Sequence, residues 1–235
     1  CATKIYPNSK GLEAFLTDVV NVSSNKLKVL GSGSSNGVDT RYFNLTPDLQ
    51  ESSKIFKTKY GLDDCFVFTF IGRIVKDKGI EELIDAYAKL SSEVENVRLV
   101  IVGREEPLTD PISNHSQVIL KNNSGIVCTG FMDDIRPSLG ASDCLILASY
   151  REGFPNVVMQ AACVNIPSIV SNINGCNEII QDGSNGLVVE PKSADDLYYA
   201  MKKLESNRGL LSDLAAKSRD SVVEKYDREK FQKII

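Results

Sequence analysis

Cys144-Leu145-Ile146-Leu147-Ala148-Ser149-Tyr150-Arg151-Glu152-Gly153-Phe154-Pro155-Asn156-Val157-Val158-Met159-Gln160-Ala161 is the stretch whose reading decides the fold. Its first five residues are an apolar run that reads as a buried strand. The segment from Pro155 reads as a helix, with the proline at its first position, where a missing N–H does no harm. A carboxylate, a glycine turn and a fresh helix N-terminus therefore gather at the carboxyl end of a strand. That is where an α/β sheet binds ligands and where free backbone N–H groups attract phosphate. A carboxylate beside a phosphate site is an odd choice for affinity alone. Glu152 makes sense there if it handles a hydroxylated group attached to the phosphate, such as a sugar.

Outward from this stretch the same strand–loop–helix pattern repeats. Phe66-Val67-Phe68-Thr69-Phe70-Ile71 reads as a buried strand, followed by a helix with Ile80, Leu83, Ile84, Tyr87 and Leu90 at a 3.6-residue period. Further strands are expected at Val97 to Val102, Gly125 to Thr129, Ser168 to Val170 and Gly186 to Val189. Further helices are expected around Ile112 to Leu120, after Asp133, from Pro155 to Val164 and at Glu178 to Gln181. Strands that are continuously apolar and alternate with helices imply a doubly wound parallel sheet covered on both faces, an α/β Rossmann-like fold. After Pro191 the pattern is wholly helical, with Ser193 placed to cap a helix that buries Leu197, Ala200, Met201 and Leu204.

The first residues differ. Lys4 to Tyr6 and Leu27 to Leu30 read as short strands around an amphipathic helix, Lys10 to Val20. Gly31-Ser32-Gly33-Ser34-Ser35-Asn36-Gly37 reads as a flexible polar linker. One strand–helix–strand unit cannot bury a core of its own. Residues 1–35 are therefore expected to be the remnant of a neighbouring domain plus a linker, and 36–235 the ligand-binding domain. The chain begins at Cys1 rather than Met, as a piece of a longer protein would.

Of 235 residues, 42% are hydrophobic and 25% charged, with a formal net charge of −4. This is an ordinary balance for a globular protein and gives no reason to expect nucleic-acid binding. No apolar run reaches the ~18 residues that span a bilayer. The six cysteines (Cys1, Cys65, Cys128, Cys144, Cys163 and Cys176) are scattered and read as buried free thiols in a reducing compartment. His115 is the only histidine. It reads as a surface helix residue, which disfavours a His-based metal site or a Ser-His-Asp triad.

Three clusters could carry chemistry, all in loops after strands. Gly72-Arg73-Ile74-Val75-Lys76-Asp77-Lys78-Gly79 offers a guanidinium fork and an ammonium beside a helix start, an anion site suited to a diphosphate. Glu152 has its bland alternative as a helix-dipole partner. In a parallel sheet both clusters fall on one edge, and together they describe an anion-plus-sugar site. Ser171 to Glu178 either lines the same pocket or is a turn closed by its asparagines. Asp182 to Gly186 reads as a turn, and Asp133-Asp134 as a helix cap rather than a metal site. There is no Gly-x-Ser-x-Gly elbow, Walker loop or Gly-x-Gly-x-x-Gly motif, so no protein nucleophile or nicotinamide site is indicated.

At this point the chain resembles the C-terminal, donor-binding domain of the GT-B glycosyltransferases of retaining family 4, the group 1 glycosyl transferases. The residues that carry the likeness are Asn36-Gly37-Val38-Asp39, Gly72-Arg73 with Lys78-Gly79, Glu152-Gly153-Phe154-Pro155-Asn156, Gly175 with Glu178, and Asp182-Gly183 with Asn185-Gly186. The resemblance implies one half of a GT-B fold, a UDP- or GDP-linked sugar as donor, and no cofactor or bound metal. Arg73 and Lys78 would hold the diphosphate beside Gly72. Glu152 would bind sugar hydroxyls, and amides along Gly153, Phe154, Pro155, Asn156 and Val157 would meet phosphate and sugar. Gly103, Phe131 and Met132 would border the base. The family's second glutamate, which grips the ribose, is here Gln160, an uncharged substitute.

Three catalytic residues are thus expected, Glu152, Arg73 and Lys78, in a retaining hexosyltransferase of polysaccharide biosynthesis. The acceptor, a glycan or lipid-linked sugar, would belong to the family's N-terminal domain. This chain alone is then expected to bind donor weakly and transfer nothing. The resemblance places the intact protein in the cytoplasm or at the inner face of the membrane as a peripheral protein. A non-catalytic nucleotide-sugar binding module, a GT-B nucleotide-sugar epimerase and a flavodoxin-type scaffold remain as alternatives from the residues alone.

Overall fold

The computed structural model describes residues 2–106 and 108–234, and the statements below concern those residues. Six strands form one sheet: β1 (Phe66–Ile71), β2 (Val97–Val102), β3 (Ile126–Gly130), β4 (Cys144–Leu147), β5 (Ser168–Ser171) and β6 (Gly186–Val189). Their order is β3-β2-β1-β4-β5-β6, and every neighbouring pair is parallel. This is the doubly wound α/β fold expected from the alternating pattern. The chain works outward from β1 in one direction, returns to the middle, and works outward again from β4. The reversal leaves a crevice at the carboxyl ends of β1 and β4.

In chain order the helices are α1 (Lys10–Asp18), α2 (Pro47–Tyr60), α3 (Ile80–Ser91), α4 (Asn114–Asn122), α5 (Arg136–Gly140), α6 (Asn156–Cys163), α7 (Cys176–Ile179), α8 (Ala194–Ser206), α9 (Arg208–Tyr226) and α10 (Arg228–Gln232). Period-2 alternation sends Phe66, Phe68 and Phe70 of β1 to one face, where they meet Ile80, Leu83, Ile84 and Leu90 of α3 and Leu197, Met201 and Leu204 of α8. Val67 turns the other way, towards Phe56 of α2 and Ala141. Tyr87 is wholly buried, and its hydroxyl donates to the carbonyls of Val97 and Gly125 at 3.0 and 2.9 Å. Its polar end is thereby satisfied inside the core.

Several local expectations shift. Lys4 to Tyr6 and Leu27 to Leu30 make a single parallel bridge, Ile5 to Leu27, rather than strands. Helix α1 buries no residue, which is how a unit without a core of its own behaves. The 31–37 stretch is seated rather than free: Ser34 is buried, its N–H donates to the Asn8 carbonyl at 2.7 Å, and Val38 next to it pairs with Tyr226 and Arg228. Helix α4 starts at Asn114 because the Ser113 hydroxyl accepts the Ser116 N–H as its cap. Pro155 has extended backbone (ψ 108°) and is the N-cap residue of α6, one position before its first turn. Cys144, Cys163 and Cys176 are buried free thiols, as expected. Cys65 is half-buried, and Cys128 is exposed because β3 is an edge strand with one face in solvent. Cys1 lies outside the described residues. His115 is on the exposed side of α4, 3.2 Å from Asp85.

Candidate functional site

The crevice is built by two loops that touch. After β1, Lys76–Lys78 forms a 3-10 turn that ends at Gly79 (φ +64°) and leads into α3. After β4, Ala148 to Pro155 leads into α6. A Cβ on Gly79 would lie 2.0 Å from the Ala148 carbonyl oxygen, so only glycine permits this approach. The Tyr150 N–H donates to the Asp77 carbonyl at 2.9 Å and joins the loops further.

Lys78 and Glu152 meet across this seam. Nζ of Lys78 is 2.6 Å from Oε1 of Glu152, and both side chains are mostly buried, at 18% and 16% exposure. The Ser149 hydroxyl donates to the same Oε1 at 2.8 Å. Both donors meet on Oε1, and Oε2 is the oxygen they leave open. Ser149 lies three residues before Glu152 in the loop after β4, and nothing in its spacing marked it as the partner of that carboxylate.

Arg73 stands further along the rim. Its guanidinium is half exposed and pairs with Glu106 at 2.9 Å. That hydrogen bond and the Glu106 charge hold Arg73 above its ordinary range, with smaller contributions from Asp77 and Glu152. Arg73 follows β1 and Glu152 follows β4, and these neighbouring strands are parallel, so the two groups lie at the same edge of the sheet. Both cations of the expected diphosphate site have a carboxylate partner, Glu106 for Arg73 and Glu152 for Lys78. Glu106 gave no signal in the sequence, being one acid in an irregular loop.

Beside Arg73 a cavity of about 340 Å³ opens over the carboxyl ends of β1, β2 and β3. Ile71, Gly72, Val102 and Gly103 form its floor, and Phe131, Met132 and Ile135 its wall. Gly103 (φ +156°) presses on the Gly72 carbonyl, where a Cβ would come within 1.8 Å. Phe131 is 58% exposed, and the Arg104 guanidinium lies 4.8 Å from its ring centroid. A flat apolar slot rimmed by polar groups suits an aromatic base.

The remaining expected residues lie along the α6 side. Gly153 and Asn156 are exposed, Val157 and Gln160 half-buried, and Pro155 buried. The Phe154 ring packs on Tyr226 at 5.2 Å between centroids, so only its backbone faces the rim. No side chain caps the first turn of α6. In the third cluster, Gly175 comes up against the Gly153 carbonyl, while Asn177 donates to Asn172 as a turn closure. Glu178 faces away from the crevice and accepts the N–H groups of Lys10 and Gly11 at 2.9 and 3.1 Å. In the 182–186 turn, Asn185 is buried and bonded to Gln181, Ile179 and Ser221. Asp134 accepts from the Arg136 N–H at 3.0 Å at the entry to α5. Among the described residues no three His, Cys, Asp or Glu side chains converge as a metal site, and no helix is long and apolar enough to cross a membrane.

A parallel sheet with a crevice at the strand-order reversal, a Lys–Glu ion pair in that crevice and an apolar slot beside it define a doubly wound α/β protein with its candidate ligand site at the carboxyl edge of the sheet. Comparison with known proteins narrows the class: glycosyl transferases group 1 match this chain over residues 52–221, and the chain belongs to that family. It is 30% identical over 97% of its length to the capsular polysaccharide biosynthesis glycosyltransferase CapM of Staphylococcus aureus. It is 27% identical over 82% of its length to the UDP-Gal:α-D-GlcNAc-diphosphoundecaprenol α-1,3-galactosyltransferase of Escherichia coli. It spans 59% and 49% of those two proteins. Among solved structures, Anabaena HepE in complex with UDP has the same fold, with a TM-score of 0.87 at 18% identity over 98% of this chain and 62% of HepE.

Proposed function

We propose that this chain binds the nucleoside-diphosphate sugar donor of a retaining glycosyltransferase that builds a cell-surface polysaccharide or lipid-linked glycan. The observation that carries the reading is the Lys78–Glu152 pair at the strand-order reversal, in a chain of the group 1 family. The slot floored by Gly72 and Gly103 and walled by Phe131 and Met132 takes the base. Lys78, Arg73 and the uncapped first turn of α6 take the diphosphate. Glu152 takes hydroxyls of a hexose, and Gln160 stands where a ribose contact is expected. The two relatives named for capsular polysaccharide and for a UDP-galactose donor, together with HepE bound to UDP, favour uridine over guanosine.

In the reaction, the bond between the anomeric carbon and the donor phosphate oxygen breaks and the diphosphate leaves with added negative charge. Lys78, Arg73 and the α6 amides stabilise that charge more in the transition state than in the ground state. The acceptor hydroxyl attacks the anomeric carbon from the leaving-group face, and its proton passes to the departing phosphate oxygen. The configuration is retained with no protein nucleophile, and the reading assigns no metal ligand. Acceptor binding belongs to the longer protein, acting from the cytoplasm at the membrane face. This chain alone then binds donor without transferring sugar.

A thermal-shift series against UDP, GDP, ADP and their sugars tests the reading. A true ligand at a hundred times its Kd adds about 2.7 kcal/mol, which raises Tm by roughly 5–10 °C in a domain of this size. No shift with any nucleoside diphosphate would refute it.

A further inference from the structure

Four polar contacts join the loop after β4 to the entry of α3, and two of them belong to Tyr150. Its backbone N–H donates to the Asp77 carbonyl at 2.9 Å. Its hydroxyl donates to Oε1 of Glu82, on the first turn of α3, at 2.6 Å. The others are Glu152 on Lys78, again at 2.6 Å, and the Arg151 guanidinium on the Asp77 carboxylate at 3.4 Å. Residues 150–152 are therefore fastened to residues 77–82 at four points, of which the Tyr150 phenol is the one that reaches the first turn of α3, and Gly79 approaches Ala148 beside them. The ring is half-buried and carries the Lys192 ammonium 4.8 Å from its centroid, so the side chain is held on a second side as well. Burial, the Glu82 hydrogen bond and the charges of Glu82, Glu81 and Asp110 hold the phenol above its ordinary range, and it stays a donor at neutral pH.

We propose that Tyr150 is a positioning residue of the donor site: by tying the loop of Glu152 to the helix entry that carries Lys78, it sets the angle at which Glu152 meets the donor's sugar. This rests on the donor reading above and adds to it a residue that acts through Glu152. Without the phenol, the loop keeps its backbone link to Asp77 but loses its anchor on α3. The Glu152 carboxylate then samples orientations in which Oε2 misses the sugar. The diphosphate and base contacts, on Lys78, Arg73 and the Phe131 slot, stay as they are.

The test compares a nucleoside diphosphate with its sugar conjugate by calorimetry. From UDP and UDP-glucose, UDP and UDP-galactose, and GDP and GDP-mannose, the pair used is the one for which the wild-type protein shows the largest difference. Tyr150→Phe should leave the diphosphate affinity within about twofold and weaken the sugar conjugate three- to tenfold, the loss of about one hydrogen bond. Glu82→Ala, which removes the phenol's acceptor, should reproduce that loss. In a Glu152→Ala background, Tyr150→Phe should have no further effect, because the two act as one unit.

The proposal is overturned if Tyr150→Phe leaves the sugar conjugate unchanged, if it weakens both ligands equally, or if its effect persists in the Glu152→Ala background. A wild-type protein that binds nucleoside diphosphates but does not distinguish the sugar conjugates would remove the role of Glu152 and this one with it. Failure to bind any nucleoside diphosphate would instead strike the donor reading itself.

Discussion

Lys78 and Glu152, 74 residues apart in sequence, close an ion pair of 2.6 Å over the carboxyl ends of β1 and β4. The site therefore meets its ligand in a neutralised state. On the proposed donor reading a diphosphate would draw on Lys78 and a sugar hydroxyl on Glu152, so a full donor would satisfy both groups while either half alone would leave one of them short.

Glu152→Ala separates catalysis from nucleotide binding. Turnover of the intact enzyme is expected to fall about 10²-fold or more, in the range seen when one transition-state contact is removed. Affinity for the free nucleoside diphosphate should hold or rise, because Lys78 loses its internal partner. Lys78→Met should lower turnover as well, and unlike Glu152→Ala it should weaken the diphosphate about tenfold and flatten the dependence of affinity on salt. Steady-state kinetics and calorimetry at two ionic strengths read both effects.

Phe131→Ala probes the slot. The ring is largely exposed, so thermal stability should change little. A base stacked on it would lose about 1–3 kcal/mol, and the nucleoside diphosphate Kd should rise at least fivefold. An unchanged Kd would place the base elsewhere.

Gly79→Ala forces a Cβ to within 2.0 Å of the Ala148 carbonyl at a positive φ. The strain of a left-handed non-glycine residue is about 1–3 kcal/mol, before any clash, and Tm should drop by several degrees. Ligand affinity should fall further than stability explains, because the seam carrying Lys78 and Glu152 opens. A melt and a titration on the same preparation distinguish the two.

Asp227 gives a pH-dependent term. Burial works to raise its pKa, but hydrogen bonds from the Thr40 hydroxyl and the Lys230 and Glu229 backbones outweigh it and hold the carboxyl below its ordinary range. The unfolded chain thus binds the proton first as pH falls. The stabilisation is present above about pH 4, near the unfolded value, and is lost on descending through the folded one. Asp227→Asn should be less stable than wild type at pH 7, with the difference shrinking towards pH 3 in thermal melts.

Much of this architecture was legible in the chain. Continuous apolar runs such as Phe66 to Ile71 specify strands buried on both faces, and the period of Ile80 to Leu90 specifies the helix that covers them. Loops after strands of a parallel sheet share one edge, so Lys78 and Glu152 could be assigned to one rim before any coordinates. What the pattern could not supply was pairing at the level of atoms. Glu106 and Ser149 lie in loops whose backbone path follows no period, and their partnership with Arg73 and Glu152 depends on that path. The 31–37 stretch misled because glycine and serine serve close approach as well as flexibility, and here Ser34 is buried.

The register Phe68 to Cys144 and Thr69 to Leu145 that joins β1 to β4 has a consequence for biogenesis. The two lips of the crevice come from chain synthesised before and after β2 and β3, so a nascent polypeptide halted ahead of Cys144 carries Lys78 and the Phe131 slot but lacks Glu152. Pairing of β4 with β1 and the joining of Glu152 to Lys78 are then a single event, so the ion pair reports on maturation of the domain.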